Sequence, residues 1–363
     1  MNLSPALKKY TEETQSAREA QSLAERIAFG PIVFEVSRLM IRFGILEMLN
    51  DPKGLTIEEI AQRTSLSEYA VKVLLESSLT AGTVLVDADT NRFTISKAGW
   101  FLLNDPATRV NIDFNHDVCY QGWFSLEEAL KTGKPAGLRH FGEWETIYEG
   151  LSQLPAEAQK SWFAFDHFYS DNSFADALRI VFERHPKTLL DVGGNTGRWA
   201  LQCVGYDSDV VVTIMDLPQQ LALMKRETAD KVGADRISGY GGNLLDEQTA
   251  FPTDKHYDAI WMSQFLDCFS EPEISSILRR AAMIMDDDTR LYIMETLWDR
   301  QRFEPAAFCL AQISLYFTAM ANGNSKMYHS DDLLRLIDGA GLVVEHIYDH
   351  LGQGHSILVC KKQ

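Results

Sequence analysis

The run LLDVGGNTGR, residues 189–198, combines one carboxylate with three glycines, namely Asp191, Gly193, Gly194 and Gly197. Glycines let a ligand lie directly against the backbone. The run is not a dinucleotide fingerprint, because Asn195 and Arg198 stand where GxGxxG needs glycine, and a Walker loop is excluded because it lacks the Gly-Lys pair. An aspartate would repel a pyrophosphate, so this loop suits a cationic group or a ribose.

Strand and helix patterns alternate around this loop, from residue 187 to residue 362. Short apolar runs such as TLLDVG and DVVVTIMD predict buried strands, and amphipathic runs such as EPEISSILRRAAMIM predict helices between them. This alternation predicts an α/β fold, a parallel Rossmann-like sheet with helices on both faces. The final segments, LVVEHIYDHL and HSILVCKK, are joined by the short connector GQG, so the last strand should run antiparallel to the others.

The first third of the chain has a mainly helical pattern. Residues 34–49 place apolar side chains at helical spacings and predict one amphipathic helix. Residues 55–84 predict two shorter helices, the first with Thr56 and Glu59 at capping-box spacing. Apolar residues then alternate on both sides of the turn-rich DADTN, which predicts a two-stranded wing. Together these elements predict a winged helix.

A winged helix suggests either DNA binding or dimerisation. The helix that would enter a DNA groove offers Lys72 against the acids Glu68 and Glu76, whereas phosphate contacts require clustered Lys and Arg. A module that forms a homodimer is therefore the favoured interpretation. A winged-helix DNA-binding protein that senses a ligand is the alternative from another class.

Composition limits the remaining function classes. The 363 residues are 45% hydrophobic and carry a formal net charge of -17, so nucleic acid and anionic membranes are excluded as expected partners and small molecules are favoured. The five cysteines show no zinc-ligand spacing, and the acidic MDDDTR at 285–290 is interpreted as a solvated turn, so no metal is predicted. The chain also lacks a secretion signal and a membrane-spanning run, which favours a cytoplasmic protein.

The glycine run Asp191 to Gly197 resembles the first motif of class I S-adenosylmethionine-dependent methyltransferases. The wider order of elements, over roughly residues 20–360, resembles the O-methyltransferases that join a winged-helix dimerisation domain to this catalytic fold. The resemblance implies a dimerisation domain at 1–105, a helical linker and substrate-pocket wall at 106–185, and a catalytic domain that binds S-adenosylmethionine at 186–363. It implies a homodimer acting on a small-molecule acceptor.

Several cofactor-binding residues follow from this resemblance. Asp216 closes the second strand, where the family binds the ribose hydroxyls with an acid, and Leu217 would flank the adenine. Asn243 stands where the family has an aspartate near the adenine, and its amide oxygen can still accept a hydrogen bond. The remaining residues expected around the cofactor are Asp191, Gly193, Gly194, Gly197, Leu244, Ser263 and Ser173.

The catalytic residues depart from the family pattern. The family reads Leu-His-Asp-Trp with histidine as the general base, but here Leu266 is followed by Asp267, Cys268 and Phe269. A carboxylate with a pKa near about 3.9 is a weak base unless burial raises that pKa, and Asp267 is the predicted substitute. Glu295 matches one of the two supporting carboxylates, while the second has no counterpart.

The acceptor side is implied by the helix before the first strand, where the family pattern Phe-Asn-x-x-Met aligns with Phe165-Asp166-x-x-Tyr169. Phe165, Tyr169 and Tyr316 would contact an aromatic acceptor. The resulting prediction is a methyltransferase that acts on a hydroxyl of a small aromatic molecule. An N-methyltransferase and a catalytically altered homologue remain open, because an anionic Asp267 would also attract an amine.

Overall fold

The computed structural model describes residues 5–363, so the first four residues of the predicted N-terminal domain lie outside the described part. The described chain forms two compact units. One contains residues 12–117, and the other contains residues 5–11 and 118–363. No helix among the described residues is both long and apolar enough to cross a membrane.

The N-terminal unit is mainly helical. Its elements are α1 (Ala17–Ala28), α2 (Gly30–Arg42), α3 (Ile45–Met48), α4 (Ile57–Thr64), α5 (Glu68–Ala81), β1 (Val84–Val86), β2 (Phe93–Ile95), α6 (Lys97–Asn104) and α7 (Pro106–Phe114). A π-helical turn, Asn115–Cys119, follows α7. Strands β1 and β2 pair antiparallel directly after the two helices α4 and α5.

The sequence predicted one continuous helix in this unit, and that prediction is wrong. Residues 34–49 do not form a single helix, because α2 ends at Arg42 and α3 begins at Ile45. Gly44 between them adopts a left-handed conformation with φ of 70°, which is typical of glycine at a helix end. The apolar spacing continues across the break because Met40, Ile45 and Leu46 all enter the same core.

The second unit begins with helices and continues as an alternating α/β domain. Its helices are α8 (Leu126–Thr132), α9 (Ile147–Gly150), α10 (Ala156–Asp171), α11 (Phe174–Val181), α12 (Arg198–Tyr206), α13 (Pro218–Thr228), α14 (Glu271–Met283), α15 (Glu304–Tyr316) and α16 (Ser330–Gly339). Its strands are β3 (Thr188–Val192), β4 (Val211–Asp216), β5 (Ile237–Gly241), β6 (Ala259–Ser263), β7 (Arg290–Glu295), β8 (Leu342–Leu351) and β9 (His355–Lys362). Short 3-10 helices include Leu266–Cys268, directly after β6.

The seven strands form one sheet in the order β5-β4-β3-β6-β7-β9-β8. Neighbours from β5 to β7 are parallel, whereas β9 is antiparallel to both β7 and β8. The predicted fold class, a Rossmann-like sheet with an antiparallel last strand and a helical N-terminal domain, is confirmed.

The alternation of side chains along β3 places residues on two hydrophobic cores. Leu190 and Val192 belong to the core on one face of the sheet, and Leu189 belongs to the core on the other. Since successive side chains on a strand point to opposite faces, Asp191 shares the face of Leu189. The strand therefore carries a carboxylate into an apolar layer just before the glycine loop begins.

Candidate active site

The glycine loop after β3 needs bare backbone. Gly193 and Gly197 have φ of 76° and 83°, a region that disfavours residues with a side chain. A Cβ on Gly194 would lie 2.5 Å from Oδ2 of Asp191, and one on Gly193 would lie 2.3 Å from the ring of Phe265. The loop thus passes closely between the β3 carboxylate and the segment after β6.

Asp216 is held at the carboxyl end of β4 by backbone donors. Its Oδ2 accepts the N–H of Asn195 at 2.8 Å, and its Oδ1 accepts the N–H of Leu217 at 2.7 Å. Helix α13 begins at Pro218 with Leu217 as its N-cap residue and no side-chain cap, so Asp216 does not act as the cap. Each carboxylate oxygen keeps a lone pair for another donor.

Asp191 is almost completely enclosed, with 2% of its surface exposed. Burial, together with the nearby charge of Asp216, raises the pKa of Asp191 to about 8. Its Oδ2 is a buried oxygen with no hydrogen-bond partner among the described residues. A cation near this carboxylate would offset the cost of ionising it.

The remaining residues predicted to bind the cofactor occupy different environments. Ser263 is the last residue of β6 and is partly exposed. Asn243 is exposed, and its Oδ1 accepts the N–H of Leu245 at 3.0 Å. Leu244 is 8% exposed, and its side chain packs in a core with Met215. The structure thus brings Asp191, Asp216 and the glycines together, while Leu244 points its side chain into the protein interior.

The turn after β6 carries Asp267 and rests on Glu295. Oε1 of Glu295 accepts the N–H groups of Phe265 at 3.0 Å and Leu266 at 2.8 Å. Oε2 of Glu295 is buried, and the backbone of Asp267 also acts on this carboxyl and opposes the rise in its pKa. Glu295 therefore positions the turn through its backbone, which leaves the Asp267 side chain to face other groups.

Asp267 is buried, with 5% of its surface exposed, and lies beside Cys268, whose Sγ is 3.4 Å from Oδ1 of Asp267. Burial raises the pKa of Asp267. Burial, together with the charge of Asp267, also raises the pKa of Glu295. The N-cap residue of α14 is Ser270, whose N–H donates to Glu273 at 2.7 Å, so Asp267 is not needed as a helix cap.

The predicted acceptor residues lie on α10 and α15. The rings of Phe165 and Tyr169 are in contact, with centroids 4.9 Å apart. Tyr316 is buried, and its hydroxyl accepts the indole N–H of Trp162 at 2.7 Å. This pair ties α10 to α15.

Ser173 lies at the start of α11 and is fully buried. Its Oγ is 2.7 Å from Nδ1 of His355, and Nε2 of His355 is 3.2 Å from Oε1 of Gln264. Burial lowers the pKa of His355 to about 3, so the imidazole is neutral near neutral pH. The predicted contact between Ser173 and the cofactor stays a prediction.

Two family models match separate parts of the chain. A dimerisation2-like domain matches residues 21–93, and a methyltransferase domain matches residues 165–347. The chain belongs to the methyltransferase family. It is an enzyme of the class I S-adenosylmethionine-dependent type with an N-terminal dimerisation domain.

Similar proteins cover most of this methyltransferase. An L-tyrosine C(3)-methyltransferase of Streptomyces lavendulae is 21% identical over 83% of this chain and 81% of its own length. The apo structure of the methyltransferase SibL matches with a TM-score of 0.71 and 19% identity, over 94% of this chain and 99% of that one. An O-methyltransferase from neocarzinostatin biosynthesis, in complex with S-adenosylmethionine and 2-hydroxy-5-methyl naphthoic acid, matches with a TM-score of 0.66 and 18% identity, over 91% and 96%.

The methyltransferase uses S-adenosylmethionine, and the residues after β3 and β4 fit such a cofactor. A bare glycine loop admits a flat ligand, and the Asp216 carboxylate is suited to hydroxyl donors. The buried, unpartnered oxygen of Asp191 is suited to a positive charge. Within residues 5–363, no group of three or more His, Cys, Asp or Glu side chains is arranged to hold a metal ion.

Sequence reasoning did not identify His355, which contacts Ser173, or Gln264, which contacts His355. Their partners are 182 and 91 residues away along the chain, so no local spacing could indicate them. Gln264 has φ of 44°, an unusual value for a residue with a side chain. Asp166 was visible in the motif alignment but received no role.

Proposed function

We propose that this methyltransferase methylates a phenolic hydroxyl of a small aromatic acceptor, with Asp267 as the general base. The observation that carries the proposal is the position of Asp267, which is buried in a turn that Glu295 holds through two backbone N–H groups. When bound, S-adenosylmethionine supplies a methyl carbon whose bond to sulfur breaks with both electrons left on sulfur.

The protein contributes proton removal and alignment. The carboxylate of Asp267 takes the proton of the acceptor hydroxyl, which leaves the oxygen lone pair free to form the new bond to carbon. The raised pKa of Asp267 makes its carboxylate a stronger base than an exposed aspartate. Placement of the acceptor beside the methyl group supplies much of the rate. We propose that Asp216, Leu217, Asn243 and Ser263 surround the cofactor, and that Phe165 and Tyr169 contact the acceptor ring.

A second candidate is transfer to a ring carbon beside the hydroxyl. The relative that methylates C(3) of L-tyrosine supports it. Removing a phenol proton raises electron density on the oxygen and on the neighbouring ring carbon, so the same base starts both reactions. After transfer to carbon, that carbon loses its own hydrogen as a proton, the ring regains its aromaticity and the oxygen is protonated again. The two outcomes differ in the atom that carries the methyl group.

The experiment incubates the full chain with isotopically labelled S-adenosylmethionine and a panel of phenols that includes L-tyrosine, catechol and 2-hydroxy-5-methyl naphthoic acid. Mass spectrometry and NMR then locate the label. Label on oxygen supports the first candidate, and label on a ring carbon supports the second. Absence of labelled product from every phenol, in protein that binds S-adenosylhomocysteine, would contradict both.

We also propose that the N-terminal unit joins two copies of the chain. Helices α1, α2 and α5 line a groove of ≈ 830 Å³ in this unit, and Ile27, Phe29 and Ile32 are more than half exposed beside it. Exposed apolar patches of this kind mark interaction surfaces. Light scattering should give twice the 41.0 kDa chain mass; a mass of one chain at micromolar concentration would contradict the dimer.

A further inference from the structure

The turn that carries Asp267 is bound by side chains at its end as well as at its start. The carbonyl oxygen of Cys268 accepts a hydrogen bond from Nδ2 of Asn322 at 2.6 Å. The next carbonyl oxygen, on Phe269, accepts one from the hydroxyl of Tyr328 at 2.6 Å. The start of the turn is held in the opposite sense, by N–H groups that donate to a carboxylate. Side chains from other parts of the chain therefore engage backbone donors at one end and backbone acceptors at the other.

The hydrogen bonds inside this turn are few. The N–H of Cys268 donates to the carbonyl of Phe265 at 3.1 Å, and the N–H of Phe269 donates to that of Leu266 at 3.1 Å. They belong to the short 3-10 helix Leu266–Cys268. Hydrogen bonds in a 3-10 helix have poorer geometry than those in an α-helix. The position of this turn therefore depends on the side chains that hold it from outside.

The side chain of Asn322 is itself fixed in orientation. Its Oδ1 accepts the N–H groups of Asn324 at 3.1 Å and Ser325 at 3.2 Å. A backbone N–H can donate only to the oxygen of an amide side chain, so these two contacts determine which side of the amide faces its own loop. The nitrogen of Asn322 is consequently directed at the carbonyl of Cys268.

The loop that carries Asn322 is attached to a helix of the predicted acceptor wall. The N–H of Asn322 donates to the carbonyl of Phe317 at 3.1 Å, within a π-helical turn, Phe317–Ala321, that continues directly from α15. Such turns are frequent at functional sites. Tyr316, the last residue of α15, accepts the indole N–H of Trp162 on α10. One continuous segment thus joins Tyr316 to the amide that holds the Asp267 turn.

The chemistry of a carboxylate base makes the backbone of this turn important. An ionised carboxylate has two equivalent accepting oxygens, so no tautomer has to be selected. The aspartate side chain is also short, and the position of its carboxylate therefore follows the position of its backbone. Misplacing a reacting group by about 1 Å can cost about 100-fold in rate. A base at Asp267 needs a fixed turn more than it needs a partner for its side chain.

We propose that Asn322 and Tyr328 are positioning residues for methyl transfer, which hold the turn so that the Asp267 carboxylate meets the acceptor hydroxyl. This inference rests on the proposed function, because it takes Asp267 as the general base. The two residues act through the backbone of the turn and not through the cofactor or the acceptor. Loss of either donor lets the turn move, so kcat should fall while the binding of both ligands is retained.

The first test separates kcat from KM for a phenol that the full chain methylates. Tyr328→Phe removes only the hydroxyl, and Asn322→Asp keeps the oxygen that accepts within its own loop but removes the N–H donors. Each variant should lower kcat by about tenfold, with the KM for the phenol and the affinity for S-adenosylhomocysteine within about twofold of the wild type. Tyr240→Phe is the matched control, because it removes a hydroxyl that donates to the carbonyl of Ala250 at 3.3 Å, and it should keep the wild-type kcat.

The second test measures the turn itself and needs no acceptor. Hydrogen exchange is followed by mass spectrometry on the full chain saturated with S-adenosylhomocysteine. The peptide that contains residues 264–270 should exchange at least about fivefold faster in both variants, while peptides from β3 and β4 should exchange as in the wild type. The control Tyr240→Phe should leave exchange at 264–270 unchanged.

Wild-type kcat in both variants, or unchanged exchange at 264–270 in both, would overturn the inference. Faster exchange throughout the domain would also overturn it, because it would indicate a general loss of stability instead of a role in this turn. Full turnover in Asp267→Asn, or absence of labelled product from every phenol, would instead show that the proposed function is wrong, so the two failures are distinguishable.

Discussion

The hydroxyl oxygen of Ser173 lies 2.7 Å from Nδ1 of His355, although the two residues are 182 positions apart. Through its other nitrogen, His355 also reaches Gln264 at the end of β6. One neutral imidazole therefore joins the start of α11, the hairpin β8–β9 and the segment that follows β6. The residue following Gln264 packs against Gly193, so this contact supports both halves of the site.

Replacing His355 should weaken the fold and disturb the turn. In His355→Phe, Ser173 and Gln264 lose their buried partner, which should lower the free energy of unfolding by about 1–3 kcal/mol. Urea denaturation measures the change. His346→Phe is the control, because His346 is exposed on the neighbouring strand, and it should have little effect. Equal stability of His355→Phe and the wild type would contradict the role of this imidazole.

Gly194→Ala should destabilise the fold, because the loop leaves no room for a methyl group at this position. The added methyl group would lie 2.5 Å from the Asp191 carboxyl and 2.9 Å from Ile214, and overpacking of this kind costs about 1–3 kcal/mol. Gly205→Ala is the control, since no atom lies within 4 Å of a Cβ there and alanine favours a helix by up to about 1 kcal/mol. If both variants melt at the wild-type temperature, the loop is not close-packed.

The stability of the ligand-free protein should fall as pH rises because of Asp191. Its pKa is raised to about 8 in the folded state, so between about pH 4 and 8 the folded chain holds a proton that the unfolded chain has lost. The free energy of unfolding then decreases with pH, by at most about 1.4 kcal/mol per pH unit for one group.

Asp191→Asn should flatten this decrease between pH 5 and pH 8, as measured by urea denaturation at each pH. Part of the decrease in the free energy of unfolding should remain, because burial also raises the pKa of Asp216. Asp235→Asn removes an exposed carboxylate and should leave the slope unchanged. A slope in Asp191→Asn as steep as in the wild type would be inconsistent with a protonated Asp191.

Asp267→Asn should abolish most turnover while preserving cofactor binding. Loss of a general base reduces kcat by about 10²–10⁴-fold, and affinity for S-adenosylhomocysteine should stay within about threefold. In the wild type, kcat should rise with pH, because the base must be ionised, with a midpoint above the usual carboxyl range. Asp287→Asn, at an exposed turn, is the control. Unchanged turnover in Asp267→Asn would remove this residue from the mechanism.

Much of the catalytic fold was predictable because its signals are local. The apolar runs that became β3 and β4, and the GQG connector between the last two strands, fix strand positions and the antiparallel pairing of β9. Gly193 and Gly197 were recognisable from the glycine motif after the first parallel strand, and the structure gives both a positive φ. The break at Gly44 was missed, since the apolar spacing is the same on both sides of it.

The polar contacts within the site could not be predicted in the same way. The pairing of Ser173 with His355 depends on the path of the chain between them, which no spacing encodes. The support of the Asp267 turn by Glu295 likewise joins the last residue of β7 to the turn that follows β6. The sequence indicated Asp267 and Glu295 as candidate residues. The burial that raises the pKa values of their carboxyl groups results from packing of the whole domain.

Calorimetric titration with S-adenosylhomocysteine of the wild type and Asp216→Asn tests the central claim most directly. We expect one site per chain in the wild type, and at least tenfold weaker binding in Asp216→Asn, because the variant loses charge-assisted hydrogen bonds to the ribose worth about 1.5–3 kcal/mol. Asp209→Asn, on the exposed segment before the same strand, should bind as the wild type does. Equal affinity in Asp216→Asn and the wild type, or no binding to the wild type, would contradict the account.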